Sequence, residues 1–352
     1  MNLHKLIQTH LLRRSPLSYT LQPVGLLYAY IQKKRRQSWQ KKAWQAPCKV
    51  ISVGNIVSGG SGKTPLTIAL AGMLCEKGLQ VAVSHRGYKG AFENKPTLIS
   101  DSKGLLYPAE QSGDEAWLIA ASLPKIPVVA GRDRKRAIKL VLKHYPATQV
   151  IILDDALQHV KVKRDLDIVS FASETGLGNG FVLPAGYLRE PLSSLSQNCL
   201  VMVYNNNLQD SEPDLVHELR KRNLCVQTSH ATAQCCCDAL GNRYPLESLK
   251  GKRLVLVSGI AGPRSFENTV RNMGLNFSKH YVYPDHYAFG DPKLVTELCS
   301  EMPEYLLCTQ KDIMKLAAHP RLAPKLRAIV LDYQFDDPEL IWQMVSDRIL
   351  AD

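Results

Sequence analysis

The chain has 352 residues, of which 45% are hydrophobic and 22% are charged, so it can bury a large core and is not globally disordered. The formal net charge is +12, but residues 1–44 hold nine Lys or Arg and no acid, which leaves +3 for the remainder. The basicity is therefore local, which argues against a general nucleic-acid surface and favours a basic segment that faces anionic lipid or an acidic partner.

The first segment, residues 1–44, is predicted to form a membrane-associated amphipathic helix. Its apolar residues recur every three or four positions, at Leu17, Leu21, Val24, Leu27 and Ile31, and basic residues follow directly at positions 33–36. No window of 18 apolar residues exists, so a transmembrane span is not expected. We expect an interfacial helix on an anionic leaflet, and the alternative is a helix packed on the protein's own core.

From residue 45 onward, short apolar strands alternate with segments of helical length. Residues 45–205 are predicted to form a nucleotide-binding core with a parallel sheet flanked by helices, an α/β fold like that of the P-loop NTPases. Residues 206–352 repeat the alternation and are predicted to form a second, smaller α/β lobe that completes the active-site cleft. The polar stretch from Asn205 to Pro213 is a plausible hinge.

A glycine-rich loop lies between the first strand of this core and a predicted helix. Its residues are Gly59, Gly60, Ser61, Gly62, Lys63 and Thr64. Small residues let backbone N–H groups surround phosphate oxygens, the lysine supplies a positive charge, and the threonine hydroxyl can hold Mg²⁺. Val57 occupies the place of the first glycine in the G-x-x-x-x-G-K-[ST] pattern, yet each chemical role is present.

The apolar run 151–153 ends in Asp154 and Asp155, as a strand that carries a magnesium-binding acid does. A strand-ending aspartate is also a common turn former, so the upstream glycine loop is what favours the metal role. Gln158 and His159 follow within one turn and are candidates for the same cleft, although a helix-capping histidine is an equal alternative.

Two further motifs carry charged residues that suit phosphoryl transfer. Asp114 opens a predicted helix, where it is either an N-terminal cap or the general base for a hydroxyl. His286, far along the chain, is a candidate partner for it only if the two lobes close. The loop 183–191 carries Arg189 and Glu190, which are either a phosphate contact or a local ion pair. Arg86, after a predicted strand, has the same two interpretations.

Taken together, these motifs resemble the tetraacyldisaccharide 4′-kinase family, the lipid A 4′-kinases of Gram-negative bacteria. The matching stretches are Gly54-Asn55 with the Gly-Gly-Ser-Gly-Lys-Thr-Pro loop, His85-Arg-Gly-Tyr, Gly113-Asp-Glu, Asp154-Asp-Ala-Leu-Gln-His159, Leu183-Pro-Ala-Gly with Leu188-Arg-Glu-Pro191, Ser258-Gly-Ile-Ala, Pro284-Asp-His and Thr309-Gln-Lys-Asp312. They run from residue 54 to about 312 in the family's order, and the basic, apolar N-terminus is similar to the family's membrane anchor. Tyr187, Tyr287 and Gln310 depart from the family pattern.

The resemblance implies ATP- and Mg²⁺-dependent phosphorylation of the 4′-hydroxyl of a tetraacyldisaccharide 1-phosphate, a lipid A precursor, to give lipid IVA. It implies phosphate and metal roles for Lys63 and Thr64, metal-side roles for Asp154 and Asp155, and base and partner roles for Asp114 and His286. It also implies that Arg189 contacts phosphate or substrate. The expected place is the cytoplasmic face of the bacterial inner membrane, held peripherally or by the N-terminus. No nucleic acid and no obligate protein partner is expected.

Two other functions are compatible with the glycine loop. A cytosolic P-loop kinase of small molecules would need no amphipathic N-terminus. A regulatory nucleotide-binding ATPase would hydrolyse ATP without an acceptor hydroxyl and would give Asp114 no role.

Overall fold

The structure is a computed structural model that describes residues 10–205 and 212–350. Among these residues the chain forms two compact units, the first made of 10–205, 212–229 and 335–350 and the second of 230–334. This division differs from the predicted boundary after residue 205, because residues 212–229 and 335–350 pack within the first unit. Most of the predicted hinge lies outside the described residues.

The secondary structure alternates as an α/β fold requires. In chain order the helices are α1 (Pro16–Gln40), α2 (Lys63–Glu76), α3 (Ala109–Ser112), α4 (Asp114–Ser122), α5 (Arg134–His144), α6 (Asp214–Arg220), α7 (Pro263–Asn272), α8 (Pro292–Ser300), α9 (Ile313–Ala317) and α10 (Pro338–Ile349). The strands are β1 (Lys49–Gly54), β2 (Val81–His85), β3 (Thr97–Asp101), β4 (Gly104–Leu105), β5 (Val128–Ala130), β6 (Val150–Leu153), β7 (Leu166–Ala172), β8 (Leu200–Tyr204), β9 (Cys225–Cys237), β10 (Arg243–Tyr244), β11 (Leu254–Ser258), β12 (Lys279–Val282), β13 (Tyr305–Thr309) and β14 (Leu326–Phe335).

The sheet of the first unit is built around β1. Its strand order is β8-β7-β1-β6-β2-β5-β3-β4, parallel from β8 to β5 and antiparallel at the β3 and β4 edge. The central strands are buried along almost their whole length, as expected for parallel strands covered by helices on both faces. Because β1 and β6 are parallel neighbours, the segments that follow them meet at the same edge of the sheet.

The second unit contains a set of parallel strands and a core of its own. β11 pairs with β12 on one side and with β13 on the other, and β13 pairs with β14. The short strand β10 is antiparallel to the end of β9. Apolar residues of β11, β13 and β14 form the core with those of α8 and α9.

The structure also contains strands that were not predicted, namely β3, β4, β9, β10 and β12. These strands are short, polar or half-buried, so they lack the continuous apolar run that revealed the others. The three consecutive cysteines lie at the end of β9, where Cys236 is buried and its two neighbours are half-buried. No group of metal-ligating side chains includes them in the part of the chain described here.

Helix α1 presents its predicted apolar stripe outward. Ser18 and Gly25 are the buried residues of this 25-residue helix, whereas Leu17, Leu27 and Ile31 are each more than half exposed. The structure therefore contradicts the alternative in which the stripe packs on the protein's own core. Within residues 10–205 and 212–350, none of the helices combines the length and the hydropathy needed to cross a bilayer.

Candidate active site

The glycine-rich loop leaves β1 and closes tightly before α2. Asn55 is buried, and its Nδ2 donates to Gly59 O at 3.3 Å and to Ser61 Oγ at 2.8 Å. These two hydrogen bonds hold the loop in its conformation. Gly59 and Gly62 have φ values of 122° and 76°, in the region that favours glycine. A Cβ atom on Gly59 would lie 2.5 Å from Tyr187 Oη. The loop thus ends at the N-terminus of α2 with Lys63 as its first helical residue, the arrangement that binds phosphate.

The predicted acids lie directly beside this loop. Thr64 Oγ1 donates to Asp154 Oδ2 at 3.2 Å, and Thr67 Oγ1 donates to Asp154 Oδ1 at 2.8 Å. Lys63 Nζ lies 3.5 Å from Asp155 Oδ1. The structure therefore brings Lys63, Thr64 and both aspartates together.

The oxygen atoms at this point suit a magnesium ion. Asp155 Oδ1 is buried and has no hydrogen-bond partner among the described residues, and its one close cation is Lys63 Nζ at 3.5 Å, so it is a carboxylate oxygen that suits a metal ion. Within the same residues, no set of three or more His, Cys, Asp or Glu side chains forms a metal site. The protein would therefore supply only part of the coordination, as proteins do for Mg²⁺ that is bound together with nucleotide phosphates.

His85 connects the acids to the turn that carries Asp114. Its Nδ1 accepts from the backbone N–H of Gly87 at 2.9 Å, so in the neutral ring the proton is on Nε2. His85 Nε2 lies 3.3 Å from Glu115 Oε2 and 3.8 Å from Asp154 Oδ2. Burial raises the pKa of Asp154, and the charge of His85 acts in the opposite direction.

Asp114 begins α4 as predicted, after Gly113 with φ of 81°. The loop after β2 packs against this turn, because a Cβ atom on Gly90 would lie 2.7 Å from Ser112 O. His286 belongs to the second unit, where it has φ of 60° and its Nε2 lies 3.4 Å from Lys311 Nζ. Its partnership with Asp114 stays a prediction.

A cleft of about 300 Å³ opens next to the acids. Its walls include the predicted residues Arg86, Asp155, Gln158, His159, Arg189 and Glu190. They also include Tyr28, Gln32, Arg132 and Arg134, which were not predicted as site residues. The cleft therefore joins the phosphate-binding region to the inward face of α1.

Arg134 is the largest fully buried side chain of the described residues. Its guanidinium donates to Ser84 Oγ at 3.2 Å and to the backbone oxygen of Asp154. Burial lowers the pKa of Arg134 to about 10. Arg134 was not predicted as a site residue, since arginine is almost never fully buried.

Burial, reinforced by the charge of Arg134, lowers the pKa of His159 to about 4, so this histidine is neutral at physiological pH.

Glu190 does not pair locally with Arg189. It is 7% exposed, and its Oε2 lies 2.7 Å from Arg36 Nη1 on α1. Arg189 instead donates its backbone N–H to Ile56 O at 2.7 Å, which holds the loop against the segment after β1. The two residues thus have different partners and both line the cleft.

A parallel sheet, a glycine loop at a helix N-terminus and strand-ending acids beside it define a P-loop nucleotide-binding protein. The chain matches the family described as tetraacyldisaccharide-1-P 4′-kinase over residues 17–350. It is 36% identical over 336 residues to the tetraacyldisaccharide 4′-kinase of Pelobacter propionicus, covering 90% of this chain and 89% of that one. It is 37% identical over 303 residues to that of Geobacter sulfurreducens, covering 86% and 84%.

A solved structure gives the same result. The chain is similar, with a TM-score of 0.75 and 29% identity, to LpxK from Aquifex aeolicus, whose crystal structure contains ATP, and the match covers 95% of this chain and all of that one. The chain belongs to the tetraacyldisaccharide-1-P 4′-kinase family. It is therefore a kinase that transfers phosphate to an alcohol group.

Proposed function

We propose that this protein transfers the γ-phosphoryl group of ATP, bound with Mg²⁺, to the 4′-hydroxyl of a tetraacyldisaccharide 1-phosphate at the cytoplasmic face of the inner membrane. The observation that carries the proposal is the cleft in which Asp155 and several arginines meet Tyr28 and Gln32 of α1. An acceptor with acyl chains and a phosphate needs a cationic cleft that adjoins a lipid-facing element. The family supports the same chemistry.

The donor side consists of the glycine loop and its neighbours. Residues Gly59 to Thr64 would hold the phosphates, with Lys63 placing its charge on the transferring group. Thr64, Asp154 and Asp155 would hold Mg²⁺, which when bound neutralises phosphate charge and orients the group. Because phosphoryl transfer has a loose transition state, this alignment and charge neutralisation would account for most of the acceleration.

On the acceptor side, Asp114 would accept the proton of the 4′-hydroxyl. Arg86, Arg132 and Arg189 line the cleft and give it the charge to attract a phosphorylated sugar. Arg86 is also bound to Glu93, with Nη2 at 2.8 Å from Oε1, so its guanidinium is held in place before substrate arrives.

Helix α1 would bring the cleft to the membrane. Its outward side carries exposed apolar residues at Leu27 and Ile31, and its basic residues follow at 33–35. Such a helix lies in the interface with its apolar side in the acyl region. Its inward side meanwhile contributes to the cleft, so the lipid would reach the acids along α1.

The test is phosphoryl transfer from ATP to tetraacyldisaccharide 1-phosphate in detergent micelles. We expect Lys63→Ala and Asp114→Ala each to lower turnover by roughly 10²–10⁴-fold, and the exposed Lys103→Ala to leave it unchanged. Equal product from the wild type and Lys63→Ala would rule out Lys63 as the residue that acts on the transferring group, and no product from the wild type would rule out this acceptor. A change in affinity with unchanged turnover in Asp114→Ala would exclude it as the base.

The same assay separates the two alternatives. Replacing Leu27 and Ile31 with serine removes apolar surface but leaves the inward face of α1 in place. With the tetraacyldisaccharide on vesicles, the proposal predicts lower turnover in this variant, whereas a cytosolic small-molecule kinase predicts no product from this lipid in either the variant or the wild type. A regulatory ATPase predicts ATP hydrolysis that does not depend on the acceptor.

A further inference from the structure

Helix α5 has a strongly basic outer face that the catalytic site does not use. Its exposed side chains include Lys135, Arg136, Lys139 and Lys143, and the helix contains no acid. Its opposite face is buried through Ala137, Ile138 and Val141. Clustered like charges repel one another, and Asp133, the N-cap, offsets only Arg136, at 3.4 Å.

This face continues through two tryptophans to the end of α1. Lys135 Nζ and Lys139 Nζ lie 5.5 and 5.8 Å from the centroid of the Trp44 ring. The backbone N–H of Trp44 donates to Lys161 O at 2.9 Å, and Lys161 Nζ lies 4.6 Å from the centroid of the Trp39 ring. A chain of contacts therefore connects α1, residues 161–163 and α5.

We define the tryptophan–lysine patch as Trp39, Trp44 and the exposed cations Lys41, Lys42, Lys135, Arg136, Lys139, Lys143, Lys161 and Lys163. Trp39 is 39% exposed, at the end of the helix whose earlier turns expose Leu27 and Ile31. Tryptophan and lysine beside an apolar surface are the side chains that favour the boundary between acyl chains and headgroups.

We propose that the tryptophan–lysine patch is a second membrane-contact surface of the first unit, which binds the headgroups of anionic phospholipids. The proposal rests on the proposed function only in placing α1 on a membrane. Nucleic acid is the other polyanion that a basic face could bind, but it gives no reason for an adjoining apolar helix side. If both α1 and α5 contact the membrane, the first unit cannot rotate about the axis of α1. Contact through α1 alone would leave that rotation free.

The test is binding of the full chain to vesicles of phosphatidylcholine, with and without about 30% phosphatidylglycerol, measured by flotation. We expect the wild type to bind the anionic vesicles more tightly. Lys135→Gln/Lys139→Gln should weaken this binding by about tenfold or more, since each basic residue near an anionic surface adds to the electrostatic attraction. Binding to pure phosphatidylcholine should change little.

The control is Lys103→Gln/Lys125→Gln, which removes two exposed lysines outside the patch and should bind as the wild type does. Equal weakening in both double variants, or none in the patch variant, would overturn the proposal. The proposal would also fail if the patch variant lost binding to a single-stranded oligonucleotide but bound the anionic vesicles as the wild type does. Turnover in neutral detergent micelles should be the same in all three proteins. If the wild type makes no product there, the proposed function fails while the vesicle comparison still decides on the patch.

Discussion

Arg36 of α1 and Glu190 of the loop after residue 183 form an ion pair with 2.7 Å between Nη1 and Oε2, and both side chains are largely buried. The pair connects residues 154 positions apart in sequence. Glu190 and the preceding residue, Arg189, both line the cleft, so the pair couples the position of α1 to the shape of the site.

We expect Arg36→Met to lower the free energy of unfolding by roughly 2–4 kcal/mol, because it leaves the Glu190 carboxylate buried without its partner. Arg36→Met/Glu190→Gln should recover much of the loss. Urea denaturation measures both, with Arg35→Met, an exposed neighbour, as the control that should change stability by less than about 0.5 kcal/mol. An Arg36→Met variant as stable as the wild type would contradict the coupling.

Gly59→Ala should weaken ATP binding by about tenfold or more, since an added methyl group meets Tyr187 Oη and a φ of 122° strains any residue with a Cβ. Calorimetric titration with ATP measures the change. Adding Tyr187→Phe to the Gly59→Ala variant should restore only the part of the lost ATP affinity that is due to the contact with Tyr187 Oη. The matched control is Gly72→Ala within α2, where nothing lies within 4 Å of the new methyl group and stability should rise by about 0.5–1 kcal/mol.

Asp155→Asn should raise the Mg²⁺ concentration needed for half-maximal turnover by about tenfold or more, because Asp155 Oδ1 is the carboxylate oxygen without a protein hydrogen bond at the loop. Asp347→Asn, an exposed site on α10, should leave it unchanged. Removal of Mg²⁺ with a chelator should abolish turnover of all three proteins. The same Mg²⁺ requirement in Asp155→Asn and wild type would exclude Asp155 as a ligand.

The half-buried His159 should make stability depend on pH. Its pKa is about 4 in the folded protein, against an ordinary histidine pKa of about 6.5, so the unfolded chain binds the proton first as pH falls. The free energy of unfolding should therefore decrease between about pH 7 and pH 5, by on the order of 1–2 kcal/mol from this residue. His159→Gln should remove that part of the pH dependence of the free energy of unfolding. His144→Gln, at an exposed position, should not. Identical slopes in His159→Gln and wild type would refute this.

Motifs local in sequence were sufficient to predict which residues lie together at the glycine loop. The glycine loop and the strand ending in Asp154 each carry a clear pattern, and parallel pairing of β1 with β6 brings them together. Asn55 and Arg134 were not predicted as site residues, because their roles depend on contacts to Ser61 and Asp154 that no spacing reveals. The inward side of α1 was missed for a similar reason. Its apolar stripe dominated the pattern, while the polar Gln32 gave no signal of its own.

The return of the chain to the first unit after residue 334 affects the order in which the protein folds. Helix α10 packs near the end of α2, with Lys77 Nζ 3.1 Å from Glu339 Oε1 and 5.5 Å from the Trp342 ring centroid. Residues 335–350 follow the whole of the second unit, so a ribosome makes that unit before it makes α10. Synthesis of the nucleotide-binding unit therefore begins before that of the second unit and ends after it. Until then, the surface that α10 covers is exposed on the nascent chain.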